Sequence, residues 1–468
     1  MERRAAIPPD LPCCQPTVSC WQEPSSVLAD FQSTPNLPSH TDVIIVGSGI
    51  TGASIAYHLL HQDPALSVLM LEARTACSGA TGRNGGHTKA ASYREFLDDC
   101  MSIGEDEAAK VVRLQYDCVK EIHAFVRKHS INCDSWEGDT LNVFYSQAQL
   151  QKTKRVVAAI RQVLGNDDPA AQYTFYNPEE TARKFFVQGS LGSVCYAAGS
   201  INAYEFVIGL LKLALSNGLN LHTQTPVVNV SHATENGGEC EVVTARGSIT
   251  AKRVILATNG YTARLLPQMQ GVLVPLRGTI TAQRPGQVLS LDRLSTTYSF
   301  IGETGYEYMI SRPQHSKFPC DIIIGGGLPS GPEGGLYEYG TTDDSSVDAR
   351  IADYLSRSTE TYFGSSWGHD HPEGRVRKTW TGIMGYAADG FPYIGQVPGS
   401  NGLYVAASFQ GSGMVLAFKC SQALVAMVVG KDDEQLNAWF PRAFRTCWKR
   451  LEQKFRGRLH ATVNIEPD

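Results

Sequence analysis

At 468 residues the chain is longer than one hydrophobic core ordinarily serves, so two interwoven domains are expected. With 42% hydrophobic and 19% charged residues it is a folded globular protein, which excludes an intrinsically disordered chain. A net charge of -5 without a dense basic run removes the electrostatic case for nucleic acid or a membrane surface and leaves small, weakly charged partners.

The chain opens with MERRAAIPPDLPCCQPTVSC, which carries charge and proline but no apolar core of a secretory signal, and reads as an irregular arm. Twelve cysteines are scattered without a CxxC pair, the pattern of free thiols in a reducing compartment. With a C-terminal EPD that resembles no peroxisomal address, a cytoplasmic location is the expectation.

TDVIIVGSGITGASIAYHLL then gives an apolar strand, a glycine turn and a helix, and SVLMLEAR a second strand. Val111, Leu114, Cys118, Ile122 and Phe125, spaced three or four apart, predict a long amphipathic helix over 104–131. A second helix is expected over 149–163, and a short one at PEETARKFF capped by Asn177. INAYEFVIGLLKLALSNG is a helix with a glycine-containing stop, followed by strands through LNLHTQTPVVNV and GECEVVTARGSITAKRVILATNG. Residues 261–375 read as strand-rich. Two helices are expected at the end, over 413–429 and 433–455. The apolar run within GMVLAFKCSQALVAMVVG is broken by Lys419, Ser421 and Gln422 and is shorter than the roughly 18 apolar residues of a membrane span, so it is read as a buried helix.

The chemistry begins at Gly47, Gly49 and Gly52, a GxGxxG between strand and helix. Gly47 permits the tight turn, Gly49 lets backbone amides approach a pyrophosphate at the positive helix end, and Gly52 permits close packing of helix on strand. Glu72 closes the second strand twenty residues beyond Gly52, where a carboxylate accepts hydrogen bonds from a ribose. This unit fits FAD and NAD equally. The strand LYVAAS running into QGSGM and a helix decides for FAD. Gly411, Ser412, Gly413 and Met414 would aim backbone N–H groups at the negative charge of a reduced flavin, which a nicotinamide enzyme does not require.

In order along the chain, DVIIVGSGITG, LEAR, SGATGRNGGH, ATNGYT, DGFPYIG and SFQGSGM resemble the FAD-dependent amine and amino-acid oxidoreductases of the D-amino-acid oxidase type, the group of glycine oxidase, sarcosine oxidase and gamma-glutamylputrescine oxidase. The resemblance spans about residues 15–430. It implies an α/β enzyme with an FAD-binding Rossmann-like domain, a parallel sheet with helices and a β-meander, and a β-sheet-rich α+β substrate domain. The expected division is an arm at 1–40, FAD-binding segments at 41–98, 190–262 and 376–468, and substrate-domain segments at 99–189 and 263–375.

Carried over from the family, the flavin contacts are Gly47, Gly49, Ile50, Thr51 and Gly52, then Glu72, Ala73 and Arg74. The loop Thr81, Gly82, Arg83, Asn84, Gly85 and Gly86 follows, then Val227, and then Ala257, Asn259 and Gly260. Gly411 to Met414 complete the set. The family resemblance further implies oxidation of a C–N bond of an amine or amino acid by hydride transfer to flavin N5, with O2 as the electron acceptor giving H2O2, or another acceptor in its place. The alternative is a flavin-dependent tailoring enzyme of a biosynthetic pathway acting on a non-amine or ring substrate.

Two departures refine this. Some relatives tether FAD through a histidine whose place is held here by Arg83, and others through a cysteine that KTWTGIMGYAAD lacks, so non-covalent FAD is expected. The lysine that helps hold a substrate carboxylate in sarcosine oxidase-like enzymes has no match at its place, since Lys419 lies deeper in the helix. That shifts weight from a simple amino acid to a larger amine. For catalysis, Arg83, Asn84 and His87 either face flavin and substrate or only order the loop. Trp380 is either a cage wall for a cationic amine or a core residue, and Arg277 either meets a substrate carboxylate or a structural partner. Gly368-His369-Asp370-His371 has metal-ligand residue types but lacks a third ligand at defined spacing, so a solvated loop is favoured and no metal is expected.

Overall fold

A computed structural model describes residues 1–231, 238–289 and 294–458. Five short apolar segments build a parallel sheet in the order Leu403–Ala407, Gly247–Leu256, His40–Val46, Val68–Leu71 and Asn220–His222. Their near-continuous burial reflects helices on the sheet: Ile50–Gln62 packs against both Ala203–Ser216 and Ala417–Val428. The antiparallel pair Val227–Ser231 and Cys240–Thr244 joins the edge of Gly247–Leu256, so the β-meander expected beside a parallel sheet is present.

A second, nine-stranded sheet runs in the order Val376–Ala387, Leu273–Gln283, Ile322–Gly326, Tyr306–Ser311, Thr297–Ile301, Trp136–Phe144, Ser193–Ser200 and His87–Thr88, with Thr174–Tyr176 beside Ser193–Ser200. Ser193–Ser200 and Val376–Ala387, expected with the FAD-binding segments, hydrogen-bond into this second sheet. Alternation sorts its faces. Leu141, Val143, Tyr298 and Phe300 pack into one apolar cluster with Ile351, Leu355, Phe363 and Trp367. Thr140, Asn142, Thr297 and Ser299, on alternate positions, make the other face polar although buried.

The helices over 104–131 and 149–163 are found as Glu105–His129 and Gln147–Leu164. Asn177 and Glu180 close a reciprocal capping box on Pro178–Phe185. The strand-rich reading of 261–375 omitted the helix Ala349–Phe363, whose Asp348 side chain accepts from the Arg350 and Ile351 amides. The helix expected over 433–455 is instead three short turns, Glu434–Trp439, Arg442–Phe444 and Trp448–Leu451, because Pro441 lacks an N–H and interrupts the ladder. The buried helix Ala417–Val428 follows a 3-10 turn at Gly413–Val415. Among the described residues no helix is long and apolar enough to cross a membrane. The terminal EPD lies outside the described residues.

The N-terminal arm is irregular, as expected, yet integrated. Trp21 is buried and its Nε1 donates to the Asn84 carbonyl at 2.6 Å, while Ser19 Oγ donates to the Gly82 carbonyl at 2.6 Å. The arm therefore braces the RNGG loop from outside.

Candidate active site

One cavity of about 360 Å³ runs from the glycine turn to the polar face of the second sheet. At its nucleotide end Gly47 has φ +106°, and a Cβ there would stand 2.7 Å from the Ala257 carbonyl oxygen. A Cβ on Gly52 would run into the Gly47 carbonyl, so this glycine serves helix-to-strand packing and does not line the cavity. Gly49 ends the turn without a side chain to cap the helix, so the first-turn amides are left to a ligand, apart from Ile50 N–H, which donates to Thr81 Oγ1 at 3.1 Å. Glu72, almost fully buried, is oriented by the Ser48 amide at 3.0 Å, the Ser48 hydroxyl at 2.6 Å and the Arg74 amide at 3.0 Å. A carboxylate fixed in this way still has lone pairs for ribose hydroxyls.

Arg74 and Arg83 share one carboxylate, Asp344, which is fully shielded from solvent. Arg74 Nη1 lies 3.0 Å and Arg83 Nε 3.4 Å from it. Arg83 also donates to the carbonyls of Ser78 at 2.7 Å and Thr381 at 2.9 Å. Burial pushes Arg83 down to about 10, opposed by Asp344 and reinforced by Arg74. Arg74 and Arg83 thus set two guanidinium groups on this wall, beside the carboxylates of Asp344 and Glu72.

The far end carries the turn Gly411–Met414, with Gly411 at φ +75°. Asn259 Oδ1 accepts from the Ser408 amide at 3.0 Å, tying ATNG to SFQGSGM. Beyond it the second sheet contributes Tyr306 and Tyr308, and the chain after the RNGG loop contributes His87, Lys89 and Arg94. His87 Nε2 pairs with the Thr297 hydroxyl at 2.6 Å, and Lys89 Nζ contacts the Ser299 hydroxyl and, at 3.4 Å, Asn142 Oδ1. Burial, then the positive neighbours, holds both His87 and Lys89 well below their ordinary values.

Native proteins rarely leave buried polar atoms unpaired. Here Arg74 Nε, His87 Nδ1, Arg94 Nη2, Tyr261 Oη, Thr279 Oγ1 and Arg458 Nε lack a partner, and all six residues line this cavity. Orphaned donors and acceptors along one channel fit a long polar ligand such as a dinucleotide.

The family described as FAD dependent oxidoreductase matches residues 42–427. This chain belongs to that family. The flavoenzyme is 27% identical over 270 residues to probable oxidoreductase OrdL of Haemophilus influenzae, covering 55% of this chain and 58% of that one. It is 24% identical over 404 residues to gamma-glutamylputrescine oxidoreductase of Escherichia coli, covering 85% of each. Of solved structures, glycine oxidase from Geobacillus kaustophilus covers 88% of this chain and 99% of its own, with a TM-score of 0.68 at 20% identity, which shows a shared fold. FAD is accordingly the cofactor, and the protein is an FAD-dependent oxidoreductase.

Of the expected flavin contacts, Gly47, Gly49, Ile50, Thr51, Glu72, Ala73, Arg74, Thr81, Arg83, Asn84, Gly85, Val227, Ala257, Asn259 and Gly411 to Met414 line the cavity of the flavoenzyme. Gly82, Gly86 and Gly260 do not; each stands against a backbone carbonyl, of Cys77, Ile201 and Met384 respectively. Asn84 orders its own loop, its Oδ1 accepting from Gly86 N–H at 2.8 Å. Trp380 is not a cage wall: it is fully buried, with Nε1 donating to the Arg83 carbonyl at 2.8 Å. Arg277 reaches the cavity, but both arms of its guanidinium hold Glu338, at 2.6 and 2.9 Å. Lys419 pairs with Glu121 at 2.6 Å, away from the cavity. Asp370 of the GHDH loop accepts from Trp367 and Arg375, and no metal-holding group of side chains occurs among the described residues.

The sequence reading missed Asp344, Lys89, Arg94, Tyr306 and Arg458. Lys89 had a usable signal, since it lies two residues from His87 on the same side of an extended segment. Asp344 had none, being 270 residues from Arg74.

Proposed function

We propose that the protein oxidises a C–N bond of a small amine or amino acid by hydride transfer, with O2 as the terminal acceptor. What carries this reading is the continuity of the cavity, which joins a complete dinucleotide cradle to a polar, partly cationic wall on the second sheet. FAD, when bound, supplies an electron-poor ring nitrogen that takes two electrons and a proton from the substrate carbon. In balance, amine, O2 and water give a carbonyl compound, the released amine or ammonia, and H2O2.

The chain's own residues then have separable tasks. The first-turn amides after Gly49 and the Arg74–Asp344–Arg83 group would hold the pyrophosphate and Glu72 the ribose, and the turn at Gly411–Met414 would set its backbone amides toward the ring system. An amine gives up hydride only when its nitrogen is unprotonated. Lys89 Nζ, fixed in the cavity wall by Ser299 and Asn142 and held well below its ordinary value by burial and then by Arg94, is the group placed to meet an arriving ammonium. Attachment of FAD is non-covalent: Arg83 stands where a tethering histidine would, with its guanidinium committed to Ser78, Thr381 and Asp344.

The test is an anaerobic screen of primary and secondary amines and amino acids for bleaching of the bound flavin, followed by peroxide measurement in air. Bleaching with stoichiometric H2O2 is expected. Bleaching without peroxide would replace O2 by another acceptor, and no bleaching by any amine would overturn the reading.

A further inference from the structure

The family match begins at residue 42, yet the chain ahead of it lines the cavity, through Asp10, Leu11 and Pro12. These residues belong to a strap tied down on both sides. Before them, Arg4 donates to the carbonyls of Tyr339 at 2.7 Å and Tyr337 at 2.8 Å, and Gln270 Nε2 donates to the carbonyls of Ala5 at 2.9 Å and Ile7 at 3.0 Å. A Cβ on Gly340 would stand 2.1 Å from the Arg4 carbonyl oxygen, so the two backbones touch there. Asp10 N–H reaches Thr342 Oγ1 at 3.3 Å. After them, the Cys13 thiol donates to Asp344 Oδ1 at 2.9 Å and Thr17 N–H to the Asp344 carbonyl at 2.7 Å. The strap thus follows residues 337–344 step by step, and Pro8, Pro9 and Pro12 limit the freedom it would gain on release.

The same strap meets the nucleotide end of the cavity. Arg74 Nη1 donates to the Cys13 carbonyl at 3.3 Å, and Arg83 Nη1 to the Thr17 hydroxyl at 3.2 Å. Arg74 lies two residues beyond Glu72, so Leu11 and Pro12 come in beside the ribose-holding carboxylate. Both are apolar yet only half-buried, which leaves part of each to the cavity. In that cavity Arg74 Nε and Tyr261 Oη are shielded and have no partner within the protein. An apolar cover near orphaned polar atoms suits a flat heteroaromatic base with its sugar.

We propose that residues 1–17 form a strap over the adenosine half of FAD, with Leu11 and Pro12 covering the cofactor, and that this strap slows cofactor release. The proposal needs FAD and no particular substrate, so it stands or falls separately from amine oxidation.

Release of FAD from the loaded protein is followed by flavin fluorescence after dilution, and binding of ADP to the flavin-free protein by calorimetry. In a variant lacking residues 2–12 the release rate and the Kd for ADP should each rise at least about tenfold, the weight of one buried leucine-sized side chain. R4M, which unties the strap outside the cavity, should move both the same way by a smaller factor. The absorbance maxima of the bound flavin should stay in place in both variants, because the ring system lies at the other end. Unchanged release or an unchanged Kd for ADP in the shortened chain would overturn the proposal, and so would failure of ADP to bind the wild type. Where the shortened chain does not fold, R4M decides alone by the same two measurements. Shifted flavin maxima would mean that the whole cavity deforms, and would overturn a cover confined to the adenosine half.

Discussion

Asp344→Asn is nearly isosteric yet removes the one anion that Arg74 and Arg83 share. The side chains are 0%, 7% and 2% exposed, and the N–O separations are 3.0 and 3.4 Å, so water does not replace the lost charge. Breaking a buried pair by removing one partner costs about 3–5 kcal/mol, because a charge is left uncompensated. With an unfolding entropy of about 2.1 cal/mol/K per residue, a chain of this length unfolding as one unit loses about 1 K of Tm per kcal/mol. A fall of about 3–5 °C is therefore expected in thermal melts of the flavin-free protein. The matched control is Asp353→Asn, which breaks the exposed pair with Arg357 and should shift Tm by less than about 1 °C, the weight of a surface ion pair. Adding Arg83→Met to Asp344→Asn should recover part of the loss, since one buried cation then goes with the anion. Equal shifts in the Asp344 and Asp353 variants would refute the argument from burial.

Gly47→Ala forces a Cβ to 2.7 Å from the Ala257 carbonyl at a φ of +106°, so the turn must move and flavin occupancy, read from the ratio of flavin to protein absorbance, should fall at least about tenfold. Acid precipitation of the wild type should leave the yellow chromophore in the supernatant; flavin in the pellet would contradict the role given to Arg83. His123, buried between Thr88 and Ser135, is held down to about 4 by burial and by Arg127 and Lys120. Above pH 6.5 it is neutral both folded and unfolded, whereas between 6.5 and about 4 only the unfolded chain takes up its proton. Stability should thus fall with pH across that window, by on the order of 3 kcal/mol from this residue. His123→Asn should flatten denaturant-derived stability against pH by about one proton, and an unchanged slope would exclude His123 as the source.

The nucleotide end of the site was legible because its signals are local. Strand, GxGxxG, helix, strand and Glu72 lie within some thirty residues, and each glycine answers to a backbone constraint that the sequence spacing already implies. SFQGSGM was readable for the same reason. The pairing of Ser193–Ser200 and Val376–Ala387 with the second sheet was not, since strand partners are chosen by long-range register and burial. Trp380 and Arg277 had the right chemistry for a substrate wall, but packing gave their polar atoms to the Arg83 carbonyl and to Glu338.

By itself, then, the sequence determined the dinucleotide cradle, the flavin preference and the α/β class, all of them written in short-range spacing. Only the tertiary structure decided what lines the far end of the cavity. Asp344 meets Arg74 across 270 residues, and Arg94 and Arg458 line one cavity from distant parts of the chain. The physical reason is that a buried charge takes its meaning from its neighbours, and burial and neighbours are properties of the folded chain.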